Sequence, residues 1–148
     1  METEKIDAIK SLIVINHDRT EGYKKASEET KDEDLKKMFL NFSDQSKRFS
    51  EELRRFVPND EEPEPDETKN TGKLFRVWMD IKAAVTGNDR KAILASCEFG
   101  EDHAKKSYNE ALEHAEELPL GAWDVVTKQK AEIQKGHDTV KSLRDAEK

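Results

Sequence analysis

Residues 33–58 read EDLKKMFLNFSDQSKRFSEELRRFVP, and their apolar positions decide the fold. Leu35, Met38, Phe39, Phe42, Phe49, Leu53 and Phe56 recur at three- and four-residue intervals, the spacing that lines one face of an α-helix. Charged side chains fill most other positions, so this helix buries one stripe and leaves the rest to water. Glu33 and Asp34 suit the positive end of the helix dipole, Asp32 stands where an N-cap is wanted, and Pro58 ends the pattern. The stripe has one break. Between Phe42 and Phe49 it carries Gln45 and Ser46.

The flanking sequence repeats the pattern. A helix over about residues 3–30 sets Ile6, Ile9, Ile13, Thr20, Tyr23 and Ser27 on one face, interrupted by Asn16. After Pro58 the chain turns acidic and proline-containing over 59–71, which reads as an extended linker. A shorter helix over 73–86 follows, with Leu74, Val77, Trp78, Ile81 and Val85 on one side and Gly87 at its end. The next helix spans 89–117, with Ile93, Leu94, Cys97, Ala104, Tyr108, Ala111, Leu112 and Ala115 inward and Glu101 in the break. Pro119 and Gly121 mark a tight connection, and a last helix reaches about 146 on Val126, Ile133, Val140 and Leu143, broken by His137.

Two helical hairpins joined by a long crossover with an extra short helix make an all-α chain. The connectivity expected is that of a ferritin-like up-down four-helix bundle, read as one domain over residues 1–148. A weak internal repeat agrees. Residues 21–26, EGYKKA, align with 106–111, KSYNEA, and superpose Tyr23 on Tyr108.

Composition bounds the function. Hydrophobic residues make up 34% and charged residues 40%, lean for a globule but sufficient for helices that each need one narrow stripe. A net charge of −7 argues against nucleic acid and anionic membrane surfaces as partners. No apolar run approaches the roughly 18 residues of a membrane span, and residues 1–10 are too polar for a signal peptide, so a cytoplasmic location is expected. Cys97 is the only cysteine, which excludes an intramolecular disulfide; its inward position suits a buried, inert thiol.

The polar breaks are the candidate site. Asn16 and Ser46 lie equally far from the turn near Lys31, and Glu101 and His137 equally far from the turn near Pro119, so antiparallel packing sets each pair side by side. Groups buried at such positions need partners. One reading is mutual hydrogen bonding, Glu101 to His137, with Asn16, Gln45 or Gln134 completing the network. A second is a metal held by the same groups, and a third is rotation of some of them toward solvent.

The stretch Tyr23-Lys-Lys-Ala-Ser-Glu-Glu-Thr-Lys-Asp32, with Leu35-Lys-Lys-Met-Phe39, resembles the first hairpin of rubrerythrin-type ferritin-like proteins. Asn16-His-Asp-Arg19, Gly22-Tyr23, Gly72-Lys-Leu74, Trp78-Met-Asp-Ile-Lys82, Glu98-Phe-Gly-Glu-Asp102, His137-Asp138 and Leu143-Arg-Asp145 extend the likeness to a bacterial family of ferritin-like four-helix bundles of unassigned function. Di-metal members of that superfamily use one Glu from each of two helices and a Glu-x-x-His pair from each of the other two. Carried over, the resemblance sets these six positions on Asn16, Ser46, Phe49, Glu101, Gln134 and His137, so only Glu101 and His137 keep a ligand. It therefore implies the fold without a dinuclear cofactor, and an interaction or stress-associated role without catalysis. The alternative is a metal-binding protein or residual metalloenzyme on Glu101 and His137, holding a single divalent ion with Glu98. A homo-oligomer through Leu74, Trp78 and Ile81 of the crossover helix is a further expectation.

Overall fold

The computed structural model of the chain describes residues 2–58 and 90–147, with side chains from Asp7 onward. Four long helices account for nearly all of them: α1 (Glu2–Glu29), α2 (Glu33–Arg54), α3 (Arg90–Glu113) and α4 (Ala122–Ala146). A single 3₁₀ turn, Ala115–Glu117, separates α3 from α4 where the sequence suggested that the third helix runs on to 117. There is no strand among the described residues. The expected linker over 59–71 and crossover helix over 73–86, with Leu74, Trp78 and Ile81, lie outside the described residues.

Helix ends follow local chemistry. Asp32 occupies the N-cap position of α2, but its side chain makes no capping bond; its carboxylate accepts from Arg90 at 3.1 Å instead. Gly121 precedes α4 with φ of +85°, a left-handed conformation that only glycine adopts without strain, and the Ala122 N–H donates back to the Pro119 carbonyl at 3.0 Å. The tight connection expected at Pro119 and Gly121 is this turn.

The helices pack as a bundle in which α1 adjoins α2 and α3, and α4 adjoins α3 and α2. Each adjoining pair is antiparallel. Between α1 and α3, Asn16 bonds Tyr108 while Tyr23 bonds Glu101; between α2 and α4, Phe49 meets Gln129 while Gly136 faces Phe42. It follows that α2 and α3 run in the same direction. Arg90 at the start of α3 binds Asp32 and Asp34 beside the first turn, although α2 ends at the far side, about 33 Å away for a helix of 22 residues. The bundle thus has one long crossover, as the sequence pattern required.

Ile9, Ile13, Tyr23, Leu35, Phe39, Leu53, Ile93, Leu94, Cys97, Ala104, Tyr108, Val126, Ile133 and Val140 are buried in one continuous core. Helix α1 departs from a simple amphipathic pattern. Every residue from Leu12 to Arg19 is buried, including Asn16, His17, Asp18 and Arg19, so this stretch is enclosed on all sides. No helix among the described residues is long and apolar enough to cross a membrane.

Candidate functional site

Several polar groups of the bundle interior gather around one residue, Arg19, whose type ordinarily marks a surface position. Arg19 lies three residues after Asn16 and four before Tyr23, on the face of α1 that meets α3, and it is fully buried. Its guanidinium grips Glu101 with two bonds, Nε to Oε1 at 2.7 Å and Nη2 to Oε2 at 2.9 Å, the paired geometry that a planar fork makes with a carboxylate. Nη1 donates to Ser46 Oγ at 2.7 Å and Gln45 Oε1 at 2.9 Å on α2. The Tyr23 hydroxyl donates to Glu101 Oε2 at 2.7 Å. The rings of Tyr23 and Phe42 lie 5.2 and 5.5 Å from the guanidinium carbon, within range of a cation–π contact.

Helix α4 contributes an absence. A Cβ at Gly136 would lie 2.8 Å from Glu101 Oε2 and 3.1 Å from Arg19 Nη2, so any larger residue there would press on the ion pair. Burial alone would draw the Arg19 pKa down, but the charge of Glu101 and its hydrogen bonds outweigh this and carry it upward, so the cation is held firmly. Burial first, and then the adjacent Glu101 charge, push the Tyr23 hydroxyl well above its ordinary value.

A second chain of bonds continues along α1. Asn16 Nδ2 donates to the Tyr108 hydroxyl at 2.8 Å and to the Leu12 carbonyl at 2.9 Å. The Tyr108 hydroxyl donates to Gln129 Oε1 at 2.6 Å, and Gln129 donates to Glu52 and to the Phe49 carbonyl. The internal repeat explains the arrangement. Each tyrosine bonds the residue seven positions before the other tyrosine, Tyr23 to Glu101 and Tyr108 to Asn16, as two similar antiparallel helices require.

The sequence-derived cluster is therefore redistributed. Gln45, Ser46 and Glu101 bond Arg19 directly, and Asn16 lies one turn away against Tyr108. Gln134 is half-buried and donates outward to Asp138 at 2.9 Å. The expected Glu101–His137 pair does not form, because the two residues turn to opposite sides of the α3–α4 seam. His137 Nε2 meets Asp102 Oδ1 at 2.8 Å and Glu98 Oε2 at 3.8 Å, and Nδ1 meets Asp138 Oδ1 at 3.1 Å. The trio considered from sequence for an alternative single-ion site, Glu98, Glu101 and His137, is not the group that the structure brings together. Glu98, Asp102 and His137 converge, whereas Glu101 is committed to Arg19 and Tyr23. Sequence reasoning missed Arg19, Asp102 and Gly136. The i+3 and i−4 relation of Arg19 to Asn16 and Tyr23 was the signal available for the first.

Comparison with known proteins adds a family to this geometry. Residues 4–114 match the family described as Domain of unknown function (DUF2383). The chain belongs to it. No curated protein matches the sequence. The DUF2383 match spans α1, α2 and α3, so Asn16, Arg19, Tyr23, Gln45, Ser46, Glu101 and Tyr108 all lie within it, and it stops at His114 before α4 begins. The DUF2383 region thus contains both partners of the buried ion pair, and Gly136 and His137 lie beyond it.

Proposed function

We propose that this DUF2383 chain is a non-catalytic helical bundle, a ferritin-like relative in which an internal salt bridge replaces a dinuclear metal centre. The observation that carries this reading is the fully buried Arg19, bonded twice to Glu101 and once each to Gln45 and Ser46. Glu101 and Ser46 are two of the six positions that the resemblance assigns to metal ligands, and the guanidinium lies between them. The donor set does not fit two divalent ions. Beside Glu101 the network offers amide, hydroxyl and carbonyl oxygens, and its one carboxylate is already neutralised. At an effective dielectric near 20, two unit charges about 4 Å apart interact by roughly 4 kcal/mol, so a divalent ion seated beside Arg19 would be repelled by about twice that.

Without chemistry at its centre, the bundle serves as an interaction module, and the resemblance extends this to a stress-associated role. The test is anaerobic loading with ferrous iron, followed by exposure to dioxygen while ferric absorbance is recorded. The expected rate of ferric formation equals that of buffer alone. Two iron ions per chain, oxidised with turnover and lost in Glu101→Gln, would overturn the reading.

A further inference from the structure

We propose that Glu98, Asp102 and His137 form a mononuclear site for a first-row divalent cation, with zinc the best match, on the outer seam between α3 and α4. The site is separate from the buried ion pair, and it can exist whether or not that pair has replaced a dinuclear centre.

Three ligand atoms already converge there: His137 Nε2, one Asp102 oxygen and one Glu98 oxygen, all within 4.8 Å of one another. Ligands about 2.0–2.2 Å from a tetrahedral zinc stand roughly 3.4 Å apart. The Nε2–Oδ1 distance of 2.8 Å is shorter than this and the Nε2–Oε2 distance of 3.8 Å longer, so side-chain shifts of about half an ångström would bring both to coordination spacing. The i and i+4 positions of Glu98 and Asp102 put both carboxylates on the face of α3 that meets α4.

The histidine supplies a second, independent argument. Both of its ring nitrogens face carboxylate oxygens, Asp102 at 2.8 Å and Asp138 at 3.1 Å. A neutral imidazole carries one N–H, so one of these carboxylates would face a lone pair unless a further positive charge enters. A proton is one such charge, and a cation on Nε2 is the other. With N–H directed from Nδ1 to Asp138, the ring is oriented as metal-bound histidines are, its second nitrogen tied to a carboxylate. Arg144 pairs with Glu98 through Oε1 and with Asp145, which leaves Glu98 Oε2 toward the histidine.

Access is also provided. The His137 side chain is 10% exposed and that of Asp102 54%, so the trio stands at the surface end of a buried imidazole. One nitrogen and two carboxylates suit zinc, iron or manganese, whereas calcium and magnesium prefer oxygen alone. Three protein ligands leave a fourth zinc position for water or a small anion.

The experiment is calorimetric titration of the metal-stripped full chain with zinc chloride, with elemental analysis of the dialysed product. One zinc per chain is expected. Asp102→Asn, at a half-exposed position that the fold tolerates, and His137→Gln should each weaken binding by at least about tenfold, and Asp138→Asn by about ten- to a hundredfold through loss of the ring's anchor. His114→Ala removes the other histidine–carboxylate group among the described residues, which includes Glu116 and Glu117, and should leave zinc binding unchanged. Circular dichroism establishes that each variant is folded. Absence of saturable zinc binding, or binding that survives Asp102→Asn and His137→Gln but is lost in His114→Ala, would overturn the proposal. Ions lost only in Glu101→Gln would overturn this site and count against the salt-bridge reading as well.

Discussion

Replacing Arg19 by methionine tests the centre of the bundle. The substitution keeps a long, flexible apolar chain, but it removes two bonds to Glu101, of 2.7 and 2.9 Å, and those to Ser46 and Gln45. Glu101, fully buried, would keep only the Tyr23 hydroxyl. Removing one partner of a buried pair costs about 3–5 kcal/mol, because the other charge is left without compensation. For a chain of 148 residues this lowers Tm by about 6–20 °C. Glu101→Leu strands the guanidinium and should cost a similar amount. The Arg19→Met/Glu101→Leu double variant removes both charges together and should be more stable than either single variant. Helical ellipticity followed through urea and thermal unfolding measures all four members of the cycle. A cost below about 1 kcal/mol for Arg19→Met, or a double variant that loses the sum of the two single costs, would refute the buried pair.

Two further outcomes follow from the buried polar groups of the bundle. The chain has two tyrosines, Tyr23 and Tyr108, both fully buried, and burial raises both hydroxyls above the ordinary value near 10. Because the folded pKa values exceed the unfolded ones, this stabilisation is complete below pH 10 and is lost as pH rises through the folded values. Tyrosinate absorbance at about 295 nm should therefore appear together with loss of helical ellipticity; a titration completed near pH 10 in the folded chain would contradict the network. Gly136→Ala should destabilise by about 1–3 kcal/mol in urea unfolding, since the added methyl meets a carboxylate that Arg19 and Tyr23 hold in place. A gain of about 1 kcal/mol, the ordinary helix-propensity benefit, would show that Glu101 is free to move.

The fold was legible because its determinants are periodic. Stripes such as Leu35, Phe39, Phe49 and Leu53 are readable as a helix face, and Pro58, Pro119 and Gly121 punctuate them. The levels of the polar breaks were legible too, since the register of a hairpin follows from distance to its turn. The partners at those levels were less so. Arg19 stands at helical spacing from Asn16 and Tyr23, but arginine as a residue type reads as a surface group, because most are solvated. Arg19 is enclosed because every residue from Leu12 to Arg19 is buried, a tertiary circumstance that one helix does not display. Likewise the separation of Glu101 from His137 depends on the rotation of α3, which aims Glu101 at α1 and Glu98 and Asp102 at α4, a difference of one position in which residue leads.

Charge balance connects the internal repeat to the proposed loss of chemistry. The two tyrosines each hold the residue seven before the other, and in a bundle built from two equivalent hairpins those two positions would carry the same kind of group. Here they differ, Asn16 being neutral and Glu101 a carboxylate. The two positions therefore carry one negative charge between them, and Arg19, one turn from Asn16, supplies a positive charge against it. A carboxylate-lined interior needs cations to fold, since unpaired buried charges are expensive. The Arg19–Glu101 pair is neutral by itself and needs no bound cation to offset its charge. The asymmetry between Asn16 and Glu101 and the burial of Arg19 are thus parts of one arrangement, in which the buried Glu101 carboxylate is balanced by the chain's own guanidinium.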